Sequence, residues 1–91
     1  MTNLREVVVS TRAAHEIGDV PHNTRERVRV ALEKLAHWPD VSGCHRLRHQ
    51  LEGLWRMRVG DHRIVFRVDE TGPVQVESIG PRESVYFRGE R

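Results

Sequence analysis

Four arginines, Arg56, Arg58, Arg63 and Arg67, fall within residues 54–68, spaced by two and by four on the two sides of a Gly60-Asp61 pair. In an extended chain, spacing by two puts side chains on one face. A guanidinium is a planar fork that grips phosphate or carboxylate oxygens through paired hydrogen bonds. A cluster of them suits a polyanionic ligand. It also suits a phosphate that gains negative charge while under attack.

The strands that would carry these arginines can be read directly. Residues 54–59 and 62–68 alternate in twos. Gly60-Asp61 fits a two-residue hairpin turn with glycine first, as a type II′ turn requires. Such a turn fixes the register: Val59 faces His62, Arg58 faces Arg63, and Arg56 faces Val65. One face then carries Trp55, Met57, Val59, Ile64, Phe66 and Val68, which is a core. The other carries Leu54, Arg56, Arg58, Arg63, Val65 and Arg67. Arg58 and Arg63 become direct cross-strand neighbours with Cβ atoms about 5 Å apart, and like charges so placed repel. The pairing makes sense if an anion sits between them. Arg67, and Arg46 on a shorter strand expected over 46–51, would extend a track for a nucleic-acid backbone.

The remaining elements must hold this hairpin. Residues 4–9 are β-branched and apolar enough for a first strand. Ser10 suits the N-cap of a short helix over 11–17, with Gly18 as its stop. A longer helix follows a connector containing Pro21. Asn23, with Glu26 three residues on, is its expected cap. Val28, Ala31, Leu32, Leu35 and Trp38 recur at helical spacing, and Pro39 ends the pattern. A reversal over 69–73 leads to a last strand over 74–79. The order is one strand, two helices, then three or four antiparallel strands. This predicts an α+β fold with two helices on one face of a curved antiparallel sheet of four or five strands. The expected core is Val28, Leu32, Leu35, Trp55, Met57, Ile64, Phe66 and Val68.

The 91 residues are enough for one domain, expected over 1–91. Formal net charge is only +2, so any basic patch must be local. Cys44 is the sole cysteine, which excludes an internal disulfide. No apolar run approaches the ~20 residues that span a bilayer. The segment MTNLREVVVS lacks a signal-peptide layout, so the cytoplasm is the expected compartment. His45 and His49 are four apart, but on a strand that spacing separates them by about 13 Å. With Cys44 they make no zinc pattern, so neither a metal nor a cofactor is expected. His62 falls at the rim of the core face and reads as structural.

The segment GLWRMRVGDHRIVFRVD, residues 53–69, resembles the central hairpin of RelE/ParE toxins, whose pattern is GLyRlRvGdyRvvY. The ending IGPRESVY, residues 79–86, resembles their closing segment IghRxxvY. The resemblance covers nearly the whole chain. It implies the RelE-like microbial ribonuclease fold and the toxin of a type II toxin–antitoxin system, partnered by a cognate antitoxin. RelE-like members cut mRNA in the ribosomal A site. ParE-like members share the fold, lack the catalytic set and poison DNA gyrase. Carried over by position, the nuclease set is Arg56 and Arg58 on the first hairpin strand, Arg63 on the second, Arg82 in the closing motif, and Tyr86. These filled positions favour an endoribonuclease over a gyrase inhibitor or an inactive toxin-fold binding protein.

The implied reaction is attack of a ribose 2′-OH on the adjacent phosphate, without a metal. The nucleophile must be aligned and deprotonated, and the phosphorane stabilised. Tyr86 would orient a splayed base. This chain departs from the family at the pair that is often lysine. A lysine among other cations can lose its proton and act as a base, whereas arginine, with a pKa above ~12, is a poor one. With Arg56 and Arg58 in place, the identity of the base is open.

Overall fold

The computed structural model describes residues 4–48 and 53–81. In chain order the elements are β1 (Val7–Val9), α1 (Thr11–Ile17), α2 (His22–Leu35), β2 (Cys44–Arg46), β3 (Trp55–Val59), β4 (His62–Val68) and β5 (Val74–Pro81). The strands form one five-stranded sheet in the order β1-β5-β4-β3-β2. Two helices cover one face, the α+β architecture expected. The sheet is antiparallel from β2 to β5, but β1 runs parallel to β5. The reason is connectivity: both helices and three strands separate β1 from β5, so no hairpin dictates their relative direction.

The hairpin register is the one the turn requires. Val59 pairs with His62, Arg58 with Arg63, and Arg56 with Val65. Gly60 has φ 61°, in the left-handed region that glycine tolerates and other residues resist. The helix-facing side of the hairpin therefore carries Met57, Val59, Ile64 and Phe66, all buried. Against them pack Ala13 of α1 and Val28, Ala31 and Leu35 of α2. Trp55, Val68 and Leu32 are partly buried at the margin of this core. Trp38 meets both Trp55 and Phe66 edge-on, with ring centroids 4.7 and 5.5 Å away, closing the core beyond the end of α2.

The ends of the helices show where local signals were overruled. Ser10 caps α1 as expected, its Oγ accepting from Ala13 N at 3.0 Å. Gly18 follows α1 at φ −63°, so it continues the right-handed turn and is not a left-handed stop. The longer helix begins at His22, one residue before the expected cap, behind an extended Pro21. Asn23 Oδ1 accepts only from the next residue, Thr24 N, at 2.9 Å. Glu26 turns to Arg29, whose guanidinium holds its carboxyl below the usual range. The capping box is not formed, because the i,i+3 ion pair claims the carboxylate.

α1 also finishes the edge of β5. β1 covers that edge only from Val74 to Val76. Beyond it, Ser10 Oγ donates to Glu77 O at 2.9 Å. Ile79 N donates to the carboxylate of Glu16 at 2.9 Å, and Glu16 is only 8% exposed. A buried N–H without a partner costs about 1–3 kcal/mol. Glu16 thus holds the end of β5, and with it the start of the closing motif, at the sheet. At the opposite end of β5, the Arg5 guanidinium donates to the carbonyls of Asp69, Glu70 and Gly72 and clamps the β4–β5 reversal.

Candidate functional site

On the face away from the helices, strand pairing assembles two rows. One runs His45, Arg56, Val65, Ser78 across β2, β3, β4 and β5. The next runs Arg58, Arg63, Gly80 across β3, β4 and β5. Three arginines therefore meet in adjacent positions, two of them directly opposed. Gly80 adds no side chain beside Arg63, so the second row is left to its guanidinium groups.

This face was expected to hold an anion between Arg58 and Arg63. Its centre is buried. Arg63 is 5% exposed, and Val65 and Ser78 are each 4% exposed. Arg58 stands exposed beside Arg63, and Arg56 is intermediate. The sequence could not reveal this, because residue types such as Val65 and Ser78 do not by themselves separate a buried position from an exposed one. A buried arginine is uncommon, since removing the charge from water is expensive. Once buried, it is also fixed in direction. A fixed cation in a site of low dielectric acts on a developing anion more strongly than a solvated one.

The expected backbone track is divided by the structure. Arg67 lies on the arginine face, with its Nε 4.0 Å from Glu77 Oε2. Glu77 is placed there by a bulge, where the β4–β5 register shifts between Val65 and Phe66. Both partners are half exposed, so the pair is weak. Arg46 is a correction. It pairs with Trp55 and so belongs to the helix-facing side, where its guanidinium lies 5.1 Å from the Trp55 ring centroid. The strand bearing it starts at Cys44, and the sequence of the eight residues that join it to β3 offers no turn signal like Gly60-Asp61 to fix its parity in advance. That same parity puts His45 on the arginine face, a residue the sequence had offered only as an unconvincing metal ligand. Arg82 and Tyr86 lie outside the described residues, as does His49.

His62 takes the rim position expected, half-buried on the helix-facing side, with its Nδ1 buried and unbonded among the described residues. Burial pushes the Cys44 thiol above its usual range. Among the described residues no group of three His, Cys, Asp or Glu side chains is arranged to hold a metal ion. At the end of the hairpin, a groove of ≈ 650 Å³ opens between α2 and β3, floored by Val30, Ala31, Met57 and Val59. Arg58 and His45 stand on its rim, so the groove adjoins the arginine face. Arg27 of α2 reaches the hairpin turn, where a Cβ on Gly60 would come within 3.2 Å of its Nη1.

The comparisons with known proteins agree with this architecture. Residues 7–86 match the family described as ParE toxin of type II toxin–antitoxin system, parDE. The chain is 32% identical over 87 residues to Toxin RelE of Mycobacterium tuberculosis, a match covering 90% of this chain and 84% of that protein. Among solved structures, the RelB–RelE antitoxin–toxin complex of Methanococcus jannaschii superposes with a TM-score of 0.74 at 18% identity. That match covers 90% of this chain and 98% of the other. A mutant of the Escherichia coli toxin RelE in the free state superposes with a TM-score of 0.73 at 21% identity, covering 96% of this chain and 93% of the other. At such identities the structures speak for the fold, while the family match and the curated relative speak for descent. The chain belongs to the RelE/ParE superfamily of type II toxin–antitoxin toxins.

Proposed function

We propose that this toxin is a metal-independent endoribonuclease that cuts mRNA in the ribosomal A site. The observation that carries the proposal is the juxtaposition of Arg56, Arg58 and Arg63 on one sheet face, with Arg63 buried and Arg58 directly opposite it. The ribose 2′-oxygen bonds to the adjacent phosphorus, the bond from phosphorus to the 5′-oxygen breaks, and the products carry a 2′,3′-cyclic phosphate and a 5′-OH. Arg63 and Arg58 hold the non-bridging oxygens and stabilise the added charge of the phosphorane. Arg56 aligns the scissile phosphate. Arg82 supplies a further positive charge from the closing motif, and Tyr86 orients the base. Arg67, tempered by Glu77, grips the backbone beyond the scissile phosphate.

A second proposal, inhibition of DNA gyrase without cleavage of RNA, is favoured by the ParE description of the matching family. The two part in one experiment. After induction in bacteria, the nuclease produces breaks within codons of translated mRNA and leaves DNA intact. Gyrase-dependent DNA breaks with intact mRNA would overturn the nuclease proposal. Either activity harms its host, so a cognate antitoxin is part of the proposal. The solved RelB–RelE complexes of the same fold support it.

A further inference from the structure

The nuclease needs a group to take the 2′-OH proton, and the three clustered arginines are poor at it. We propose that His45 is that general base, an inference resting on the nuclease proposal above. His45 is the direct cross-strand partner of Arg56 on the same face, so their Cβ atoms stand about 5 Å apart. It is exposed, at the sheet edge, on the rim that it shares with Arg58. A phosphate held by Arg56 and Arg58 therefore lies beside an imidazole that substrate can reach.

The other proton acceptors among the described residues fit less well. Glu77 lies against Arg67, two positions away along the sheet. Ser78 is buried, and a hydroxyl is a weak base. His62 faces the helices. Among the described histidines, His15, His22 and His37 belong to α1, α2 and the turn after α2. A neutral imidazole has one nitrogen free to accept a proton, and the imidazolium can release it again.

In the step, an imidazole nitrogen of His45 takes the 2′-OH proton as the 2′-oxygen bonds to phosphorus. The electron pair of the breaking bond leaves on the 5′-oxygen, which solvent protonates, and the imidazolium returns its proton to water. Among the described residues, the charged groups around His45 are Arg56 and Arg58 from β3 and, across the groove, Glu26, Arg27, Lys34, His37 and Asp40.

The test is single-turnover cleavage of mRNA on programmed ribosomes across about pH 5.5 to 8.5, with the parent chain and the His45→Gln and His45→Ala variants. Loss of a general base typically lowers the rate by ~100- to 10,000-fold. The expected results are a loss of at least about 100-fold with substrate affinity retained, disappearance of the acid limb of the parent's pH profile, and partial rescue of His45→Ala by added imidazole. A His45→Gln rate within about threefold of the parent, or an unchanged acid limb, would overturn the assignment. Thermal melts of both variants serve as the folding control, and because His45 is an exposed edge residue they are expected to match the parent. A parent that cleaves no mRNA rejects the nuclease proposal itself, a different failure from one confined to the variants.

Discussion

The two faces of the β3–β4 hairpin are built from the same residues' neighbours, one position out of step, yet they are closed in different ways. The helix-facing side is sealed by apolar contact: Phe66 and Ile64 are fully buried under Leu35 and Val28. The opposite side also has a buried centre, but a guanidinium, Arg63, is part of it. Burial stabilises the fold on the first side, while on the second it also takes a guanidinium out of water, a cost that its partners must offset. The lesson is that burial alone does not mark a core. A buried charge beside an exposed like charge, as Arg63 stands beside Arg58, is the arrangement on which the proposed anion site rests.

The comparison can be broken, beginning with the larger effects. Phe66→Ala removes a fully buried ring and should cost about 3–5 kcal/mol, a large part of the stability of so small a domain, as chemical denaturation will measure. Arg63→Ala should do the reverse, keeping the fold while lowering the cleavage rate ~100- to 1,000-fold with little change in substrate affinity. If Arg63→Ala unfolds the chain as readily as Phe66→Ala, the two faces are alike and the contrast is lost.

Smaller effects sharpen the same contrast. Glu16→Ala leaves the Ile79 N–H buried without its acceptor and should destabilise by ~1–3 kcal/mol, whereas Glu16→Gln, which keeps an acceptor oxygen, should cost less. Denaturation midpoints of the pair test whether the carboxylate ties down β5. Arg46→Ala should lose at most about 1 kcal/mol of contact with Trp55, and its cleavage rate should stay within about twofold of the parent. A large loss of cleavage in Arg46→Ala would restore that residue to the RNA track.

What the sequence disclosed follows how tightly local chemistry constrains parity. Gly60-Asp61 admits one register, so the pairing of Arg58 with Arg63 was legible from residue types alone. Ser10 likewise revealed the start of α1, because a short hydroxyl before a helix has few other uses. β2 was different. The sequence over 47–54 offers no turn signal like Gly60-Asp61, and a slip of one residue exchanges the faces of Arg46 and His45. The expected track therefore took Arg46, and His45 was passed over. The α2 cap failed for another reason: Glu26 had two possible partners, and an exposed ion pair with Arg29 prevailed over the backbone N–H. The burial of Arg63 was illegible because strand pairing gives a side chain's face and neighbours but not how deeply it is covered.

On the proposed function, the arginine face cleaves RNA by internal transesterification. The most direct measurement is the chemistry of the ends left when the purified chain acts on translated mRNA in the presence of a chelator. The account predicts a 2′,3′-cyclic phosphate on the upstream fragment and a 5′-OH on the downstream one, with the yield falling steeply in Arg63→Ala. A 3′-OH and 5′-phosphate at the cut, or cleavage that the chelator abolishes, would contradict it.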